Sequence, residues 1–503
     1  MRSDTGKTDS LWFLTAPLIV PPALGEDLRT EVCVIGAGIA GITTAYLLAR
    51  AGTRVVVLED GAVGGGETGR TTAHLSNALD DRYHLLERLH GLEGARLGAA
   101  SHSAAIDQVE SIVRQEAIDC EFERLDGYLF VPPGESTDTL EAELEAARRA
   151  GVADVERLQR APLASFDTGP CLRFPRQGQF HPLLYVNGLV TAIGRMGGRV
   201  FGQTHVTGVE PGPPARIATT SGPAVTADFV VCATNTPVID WLVIHSKQAA
   251  YRTFAIGAHV EGPVARALYW DTADPYHYVR LAGHILIVGG EDHKTGQADD
   301  AADRFARLEQ WARERFPIGA VEFQWSGQVM EPVDGLAYIG RNPGDKGHIF
   351  VATGDSGQGM THGTIAGMLL GDLILGRANP WERLYDPGRK SLKSVGEYMK
   401  ENLNVARQYV DYITPGEVRS EAEILPGQGA VVRHGMKKLA VYRDEAGGIH
   451  RLTAVCPHLG CVVHWNSLER TWDCPCHGSR FSVEGSVLNG PALGGLEKVE
   501  LSP

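Results

Sequence analysis

The spacing of apolar residues changes period twice near the N-terminus. An apolar run at residues 32–35 leads into the turn Gly36-Ala37-Gly38-Ile39-Ala40-Gly41, a helical pattern continues to about Ala51, and a second apolar run at 55–58 ends at Glu59. Strand, glycine-rich turn, helix, strand and acidic residue in that order predict a βαβ dinucleotide-binding unit. Its glycines allow a tight turn and bring a pyrophosphate to the helix N-terminus at Ile39 and Ala40, while Glu59 accepts ribose hydroxyls. Further on, residues 204–208 and 215–219 read as paired strands, and 227–234 as a buried strand ending in a small-residue turn. At 349–361 a strand runs into the turn Gly354-Asp355-Ser356-Gly357-Gln358-Gly359-Met360, followed by an apolar helix through Leu375. Such a turn offers backbone N–H groups to electron-rich ligand atoms.

These segments are far apart, so the intervening chain, roughly 80–200 and 240–335, is expected to form an inserted domain, helical first and then β-rich. Residues 140–150 carry helical spacing; 276–280 and 284–289 read as strands. From about 388 the pattern changes again. Leu392, Val395, Met399, Leu403, Ala406, Val410 and Ile413 recur at steps of three or four, predicting an amphipathic helix that docks as a connector and ends near Pro415-Gly416. From Val418 onward, short strands with Gly/Pro turns predict a small β domain.

The last of these segments carries the most specific chemistry. Cys456-Pro-His458-Leu-Gly-Cys461 is followed after twelve residues by Cys474-Pro-Cys476-His477-Gly-Ser479. Cys456, His458, Cys474 and His477, set as CxH and CxxH, suit a 2Fe-2S cluster with thiolates on one iron and imidazoles on the other. Structural zinc is the alternative for two Cys and two His, but it leaves Cys461 and Cys476 unexplained. The other cysteines, Cys33, Cys120, Cys171 and Cys232, are scattered, a usage that points to a cytoplasmic protein with one specialised site.

Composition narrows the partners. The chain has 503 residues, enough for about three domains, and a formal charge of −14. Residues 418–503 hold nine Lys/Arg against nine Asp/Glu, so the acidity lies upstream, and no nucleic-acid partner is expected. No apolar run approaches the ~18 residues of a membrane span. The stretch 11–20 has the look of a secretory apolar region but contains Pro17, precedes Pro21 and Pro22, and lacks a small-residue cleavage site; it reads as a folded lead-in.

The βαβ unit, the segment Gly64-Gly65-Gly66-Glu67-Thr68-Gly69-Arg70-Thr71-Thr72-Ala73-His74 and the turn at 354–361 together resemble the D-amino acid oxidase and glycine oxidase superfamily of FAD enzymes, over about 28–385. The C-terminal motif resembles the Rieske protein of cytochrome bc complexes, over about 418–503. The resemblance implies an α/β FAD-binding domain (Rossmann-like, glutathione-reductase type) with an inserted α+β substrate domain, plus a small all-β Rieske domain. The expected limits are 1–385 for the oxidoreductase part (FAD-binding 28–80, 200–238 and 336–385), 386–416 for the connector and 417–503 for the Rieske domain.

It also implies FAD as cofactor, with Arg70, Thr71, Thr72, His74, Val206, Gly354, Gly357, Gly359 and Met360 beside it and Arg70 alternatively meeting a substrate carboxylate. His74 stands where related dehydrogenases carry a histidine covalently joined to flavin, although Ala73 replaces their preceding tryptophan; a histidine simply packed near the flavin is the other reading. In the cluster domain the resemblance implies a Cys461–Cys476 disulfide and a Ser479 hydroxyl bonded to a bridging sulfide. Phe481 stands in place of a tyrosine donor, a change expected to lower the potential within the middle to upper part of the Rieske range of about −150 to +300 mV. Asn489-Gly490-Pro491 matches the loop that shields the cluster.

Candidate pocket residues of the inserted domain are His181, Tyr251, Tyr276, Tyr278 and Lys294, with Tyr185, Arg252, His277 and Arg280 beside them. The implied function is a dehydrogenase that oxidises an amine or amino acid C–N bond and passes electrons through the cluster to an external one-electron acceptor protein. Electron flow in reverse, and a redox relay without turnover of its own, are the alternatives.

Overall fold

The computed structural model describes residues 5–238, 244–345, 348–390 and 392–500. The expected domain limits at 1, about 240 and 503, and the side chain of Leu392, lie outside the described residues. Val55–Leu58 is buried along its whole length, as suits a strand inside a parallel sheet covered on both faces. It pairs in parallel with Leu28–Ile35, which pairs with Ala224–Cys232, which pairs in turn with Ile349–Thr353. Arg199–Phe201 and Tyr338–Arg341 close the two edges, and the hairpin of Val206–Glu210 and Ala215–Thr219 leans on Ala224–Cys232. Helices Ile39–Arg50 and Gly359–Ile374 cover one face together. A Cβ on Gly363 would lie 2.6 Å from Ile39 Cγ2, and one on Gly367 2.6 Å from Thr43 Cγ2. These small residues bring the turn at 354–361 beside the dinucleotide turn.

A second sheet runs, in spatial order, Ile318–Pro332, Gln248–Val260, Ile285–Lys294, Tyr278–Ala282, Leu268–Asp271, Glu123–Phe130, Cys171–Gln179 and His74–Leu75. The helix read at 140–150 is Asp138–Arg149, and the two strands read near 280 are Tyr278–Ala282 and Ile285–Lys294. The succession of helices first and strands later is corrected, because Glu123–Phe130 and Cys171–Gln179 already belong to this sheet. The lead-in forms the short helix Leu11–Thr15, with Leu11, Trp12 and Phe13 buried and Trp12 Nε1 donating to the Thr71 carbonyl at 2.6 Å. The C-terminal part is all β: a three-stranded sheet, Gln428–His434, Lys437–Arg443 and Ile449–Thr453, and a four-stranded one, His464–Asn466, Thr471–Asp473, Arg480–Phe481 and Val487–Asn489.

The connector is helical over Val395–Gln408 and docks with the opposite face to the one its periodicity suggests. Val395, Met399, Leu403, Val410 and Ile413 are exposed, whereas Glu401 is buried and pairs with Lys294. Asn402 donates to the Ser246 carbonyl at 3.1 Å, and Asn404 accepts from Gln297 at 2.7 Å. The surface beneath is polar, so amides and a carboxylate satisfy it better than the apolar stripe does.

Buried charges join the parts. Arg70 Nη1 lies 2.8 Å from Glu469 Oε1, with both side chains fully buried. Arg70 also donates to the carbonyls of Ser326 and Thr8, and Glu469 accepts from the Ser326 hydroxyl and the Thr8 amide. Arg252 lies 3.8 Å from Glu469 and 3.9 Å from Asp473; Arg480 lies 3.3 Å from Asp473 and 3.9 Å from Glu67. Three guanidinium groups thus face three carboxylates drawn from both sheets' surroundings and the C-terminal domain. Burial alone opposes ionisation of Glu469, but Arg70, Arg252 and Arg480 overrule it and hold its pKa at about 2. Removing one partner leaves an uncompensated buried charge. Glu469→Ala is expected to destabilise the protein by about 3–5 kcal/mol, read by urea denaturation, and to expose the connector to protease; unchanged stability would contradict the network's role.

Candidate active site

The dinucleotide turn, the turn at 354–361 and the second sheet enclose a cavity of about 490 Å³. Gly36 has φ +102°, and a Cβ there would collide with the Ala233 carbonyl; one on Gly41 would collide with the Gly36 carbonyl. Gly38 caps helix Ile39–Arg50 at the cavity wall, so the helix N-terminus faces the site where a pyrophosphate binds. Glu59 accepts from the Ala37 amide at 2.5 Å and the Gly61 amide at 3.2 Å, which fixes its carboxylate at the cavity edge. This cradle fits FAD. Gly36, Gly38, Ile39, Ala40, Glu59, Arg70, Thr71, Thr72, His74, Val206, Gly354, Gly357, Gly359 and Met360 all line the cavity, and Gly41 supports it from behind.

Arg70 lines the cavity, and its guanidinium also donates to Glu469 and to the Ser326 and Thr8 carbonyls, so it anchors the C-terminal domain at the cavity wall. His74 Nδ1 accepts from the Thr72 hydroxyl at 3.0 Å and Nε2 donates to the Val279 carbonyl at 3.3 Å. Burial, aided by Arg280, lowers its pKa to about 3. Both ring nitrogens are engaged, the arrangement of a packed neutral histidine.

Tyr276 and Tyr278 line the cavity; His181, Tyr251 and Lys294 are not among its lining residues. His181 instead caps helix Pro182–Arg195 and meets the Thr15 hydroxyl at 3.0 Å. Lys294 pairs with Glu401 and lies 5.7 Å from the Tyr251 ring, so both belong to the connector's seat. Arg280 donates to the Ala73 and Phe180 carbonyls, and His277 pairs with Asp271 at 2.8 Å.

Sequence reasoning missed a set of carboxylates. Asp80, Asp292, Glu331 and Asp355 line the cavity. Tyr276 donates to Asp80 at 2.9 Å, Ser356 to Glu331 at 2.9 Å, and the Met330 amide to Asp355 at 3.2 Å. Burial raises Asp80, Asp292 and Asp355 to about 6 and Glu331 well above the usual range, where Asp81 and Asp355 add repulsion. The Asp80-Asp81 doublet just after the His74 segment was the one available signal.

In the C-terminal domain Cys461 and Cys476 form a disulfide between the two ligand loops. Their sulfurs lie near Cys474 Sγ, but disulfide sulfurs are not thiolate ligands. Cys456 and Cys474 remain as buried thiols beside them. The rings of His458 and His477 stand 5.0 Å apart at 90°, and both nitrogens of His458 and Nδ1 of His477 are buried without a hydrogen-bond partner. Burial holds His458 and His477 neutral, at about 4 and about 3, the protonation state a metal requires. Orphaned imidazoles beside two thiols fit the 2Fe-2S cluster. Ser479 is fully buried and accepts from the Ala492 amide at 3.1 Å, and Phe481 is fully buried.

The two sites share a wall. Val487, Leu488, Asn489, Gly490, Ala492 and Leu493 of the cluster domain line the same cavity as the dinucleotide turn. Gln328 lines it too, and its Nε2 donates to the Gly478 carbonyl, next to His477, at 3.0 Å. His245 packs its ring 5.1 Å from that of His458.

Family comparison agrees with this division. Residues 31–373 match the family model of FAD dependent oxidoreductases (DAO), and residues 414–500 match that of the Rieske [2Fe-2S] domain. The chain belongs to the DAO family of FAD-dependent oxidoreductases and ends in a Rieske domain. Its cofactors are FAD and a 2Fe-2S cluster. It is 33% identical over 501 residues to YhfW of Bacillus subtilis (strain 168), whose name describes a Rieske 2Fe-2S iron-sulfur protein, covering 98% of each chain. It is 27% identical over 415 residues to the gamma-glutamylputrescine oxidoreductase of Escherichia coli (strain K12), covering 77% of this chain and 95% of that protein. Glycine oxidase from Geobacillus kaustophilus shares the fold, with a TM-score of 0.62 at 19% identity over 72% of this chain and 99% of that one. Among the described residues no helix is long and apolar enough to cross a membrane.

Two outcomes follow. Acid or urea denaturation of the holoprotein is expected to release the flavin into the filtrate, since neither His74 nitrogen is available; yellow colour retained on the polypeptide would contradict this. Asp80 has its folded pKa raised above the unfolded value, so its charged form is penalised in the fold, with no penalty below about pH 4 and a full one above about pH 6. Asp80→Asn keeps an acceptor for Tyr276. Its thermal stability is expected to exceed that of the parent above pH 6 and to converge with it towards pH 4.

Proposed function

We propose that this oxidoreductase is a dehydrogenase that oxidises an amine C–N bond and delivers the electrons singly, through its own Rieske cluster, to an external one-electron acceptor protein. The amine carbon loses a hydrogen and two electrons, the nitrogen loses a proton, and the resulting imine is hydrolysed by water to a carbonyl compound and a free amine or ammonia. Bound FAD supplies the two-electron acceptor for the hydride, and the bound cluster supplies the one-electron outlet.

The chain's residues have definable tasks in this reading. An amine arrives mostly as an ammonium and reacts only as the neutral base, so a carboxylate must take its proton. Asp80, held by the Tyr276 hydroxyl and raised to about 6, suits that exchange near neutral pH. His74, Trp270, Tyr276 and Tyr278 form an aromatic wall, with His74 5.8 Å from Tyr278 and 6.0 Å from Trp270; such a wall excludes water and orients the substrate carbon. Gln328 ties the cavity to the backbone beside His477.

The observation that carries the reading is the common wall: residues of the cluster domain and of the dinucleotide turn line one cavity. An enzyme that handed its electrons to oxygen would gain nothing from a cluster so placed. Pro457 and Leu459, exposed on the ligand loop, offer the acceptor an outward approach. Anaerobic addition of a substrate amine is expected to bleach the flavin and raise the reduced-cluster EPR signal together, without dithionite. A flavin that bleaches while the cluster stays oxidised would overturn the proposal.

A further inference from the structure

We infer that the substrate is an amine with at least two amino groups and no carboxylate, an α,ω-diamine or polyamine, one ammonium of which is held by the carboxylates of the cavity while another nitrogen reacts. The inference rests on the amine-oxidation reading and names its substrate class.

Charge along the wall is one-sided. Asp80, Asp292, Glu331 and Asp355 line the cavity, and Arg70 is the only Lys or Arg that does so among the described residues. Arg70 is spent on Glu469 and on two backbone carbonyls. Other guanidinium groups around the wall are also turned elsewhere: Arg82 donates to the Leu79 and Asp271 carbonyls, Arg304 to Asp300 and the Glu291 carbonyl, and Arg280 to the Thr72, Ala73 and Phe180 carbonyls. An amino acid carboxylate entering here would meet like charges and no cation to receive it, whereas an ammonium relieves the repulsion among the four.

A second observation points the same way. Gln358 is 9% exposed and lines the cavity; its Nε2 donates to the Ala78 carbonyl at 2.8 Å, which fixes the amide's orientation and leaves Oε1 without a partner. Asp292 Oδ1 is likewise buried with no hydrogen-bond partner. Unmet acceptors in a buried wall call for a donor, and an ammonium brings three. One carboxylate suffices to take the proton from the reacting nitrogen, so the remainder of this set matches a second, permanently charged nitrogen.

The test titrates the oxidised holoenzyme anaerobically with putrescine, with butylamine as the monoamine of the same length, and with glycine, reading the flavin absorbance for binding and for bleaching. Putrescine is expected to act at concentrations at least tenfold below butylamine, and glycine to be weaker than either. Asp292→Asn and Gln358→Leu, each checked for unchanged flavin content, are expected to weaken putrescine tenfold or more and butylamine less than threefold. Glycine acting as well as putrescine, or both variants retaining the preference for putrescine, would overturn the inference. Selective binding of putrescine without bleaching would defeat the amine-oxidation reading instead; bleaching by butylamine with no advantage for putrescine would defeat only the inference.

Discussion

Three arginines and three carboxylates, buried where the lead-in, the oxidoreductase body and the Rieske domain meet, hold the architecture in one arrangement. Such charges are costly to bury, and only close mutual pairing offsets the loss of hydration. A shift of the Rieske domain would leave Arg70 facing the Ser326 and Thr8 carbonyls without its counter-ion and Glu469 without Arg70, while Asp473 would keep Arg480 but lose Arg252. The interface therefore has little freedom to slide. Hydrophobic contact alone would be non-directional; the bidentate Arg70–Glu469 contact fixes orientation as well.

That orientation has a functional consequence. It turns the histidine-bearing edge of the cluster site inward, against His245 and the strand carrying Gln328, and sets the loop at 487–493 into the flavin cavity wall. The connector adds a polar seat through Glu401 and Lys294 on the same side. In the proposed reading, an electron leaving the cavity would meet the cluster ligands through a packed, hydrogen-bonded interface, without a domain swing. The same allocation commits Arg70, the only Lys or Arg that lines the cavity among the described residues, to Glu469; in the proposed reading the carboxylates around Asp80 would then select a cation.

What the sequence disclosed was what is local. The dinucleotide turn, Glu59 and the CxH and CxxH loops each concentrate their chemistry within a few residues, so spacing alone reveals them, and Gly36, Glu59, His74 and Gly354 all line one cavity. The ion pair of Arg70 was not legible in the same way, because its partner lies 399 positions away. The connector's period was legible but its docked face was not, since the helix meets a polar seat and leaves Met399 and Leu403 outside. Lys294 and His181 looked like pocket residues because strand ends and helix starts favour such side chains; tertiary pairing with Glu401 and the capping of Pro182–Arg195 account for them. Asp80, Asp292, Glu331 and Gln358 come from four separate segments and converge only in three dimensions.

The central claim is that flavin cavity and cluster form one fixed unit within a single chain. Its most direct test is stopped-flow reduction by substrate, following cluster reduction after flavin reduction at increasing protein concentration and increasing solvent viscosity. The account predicts a first-order phase whose rate is independent of both. A rate that rises with protein concentration, or falls in proportion to viscosity, would show transfer between molecules or through a moving domain and would contradict it.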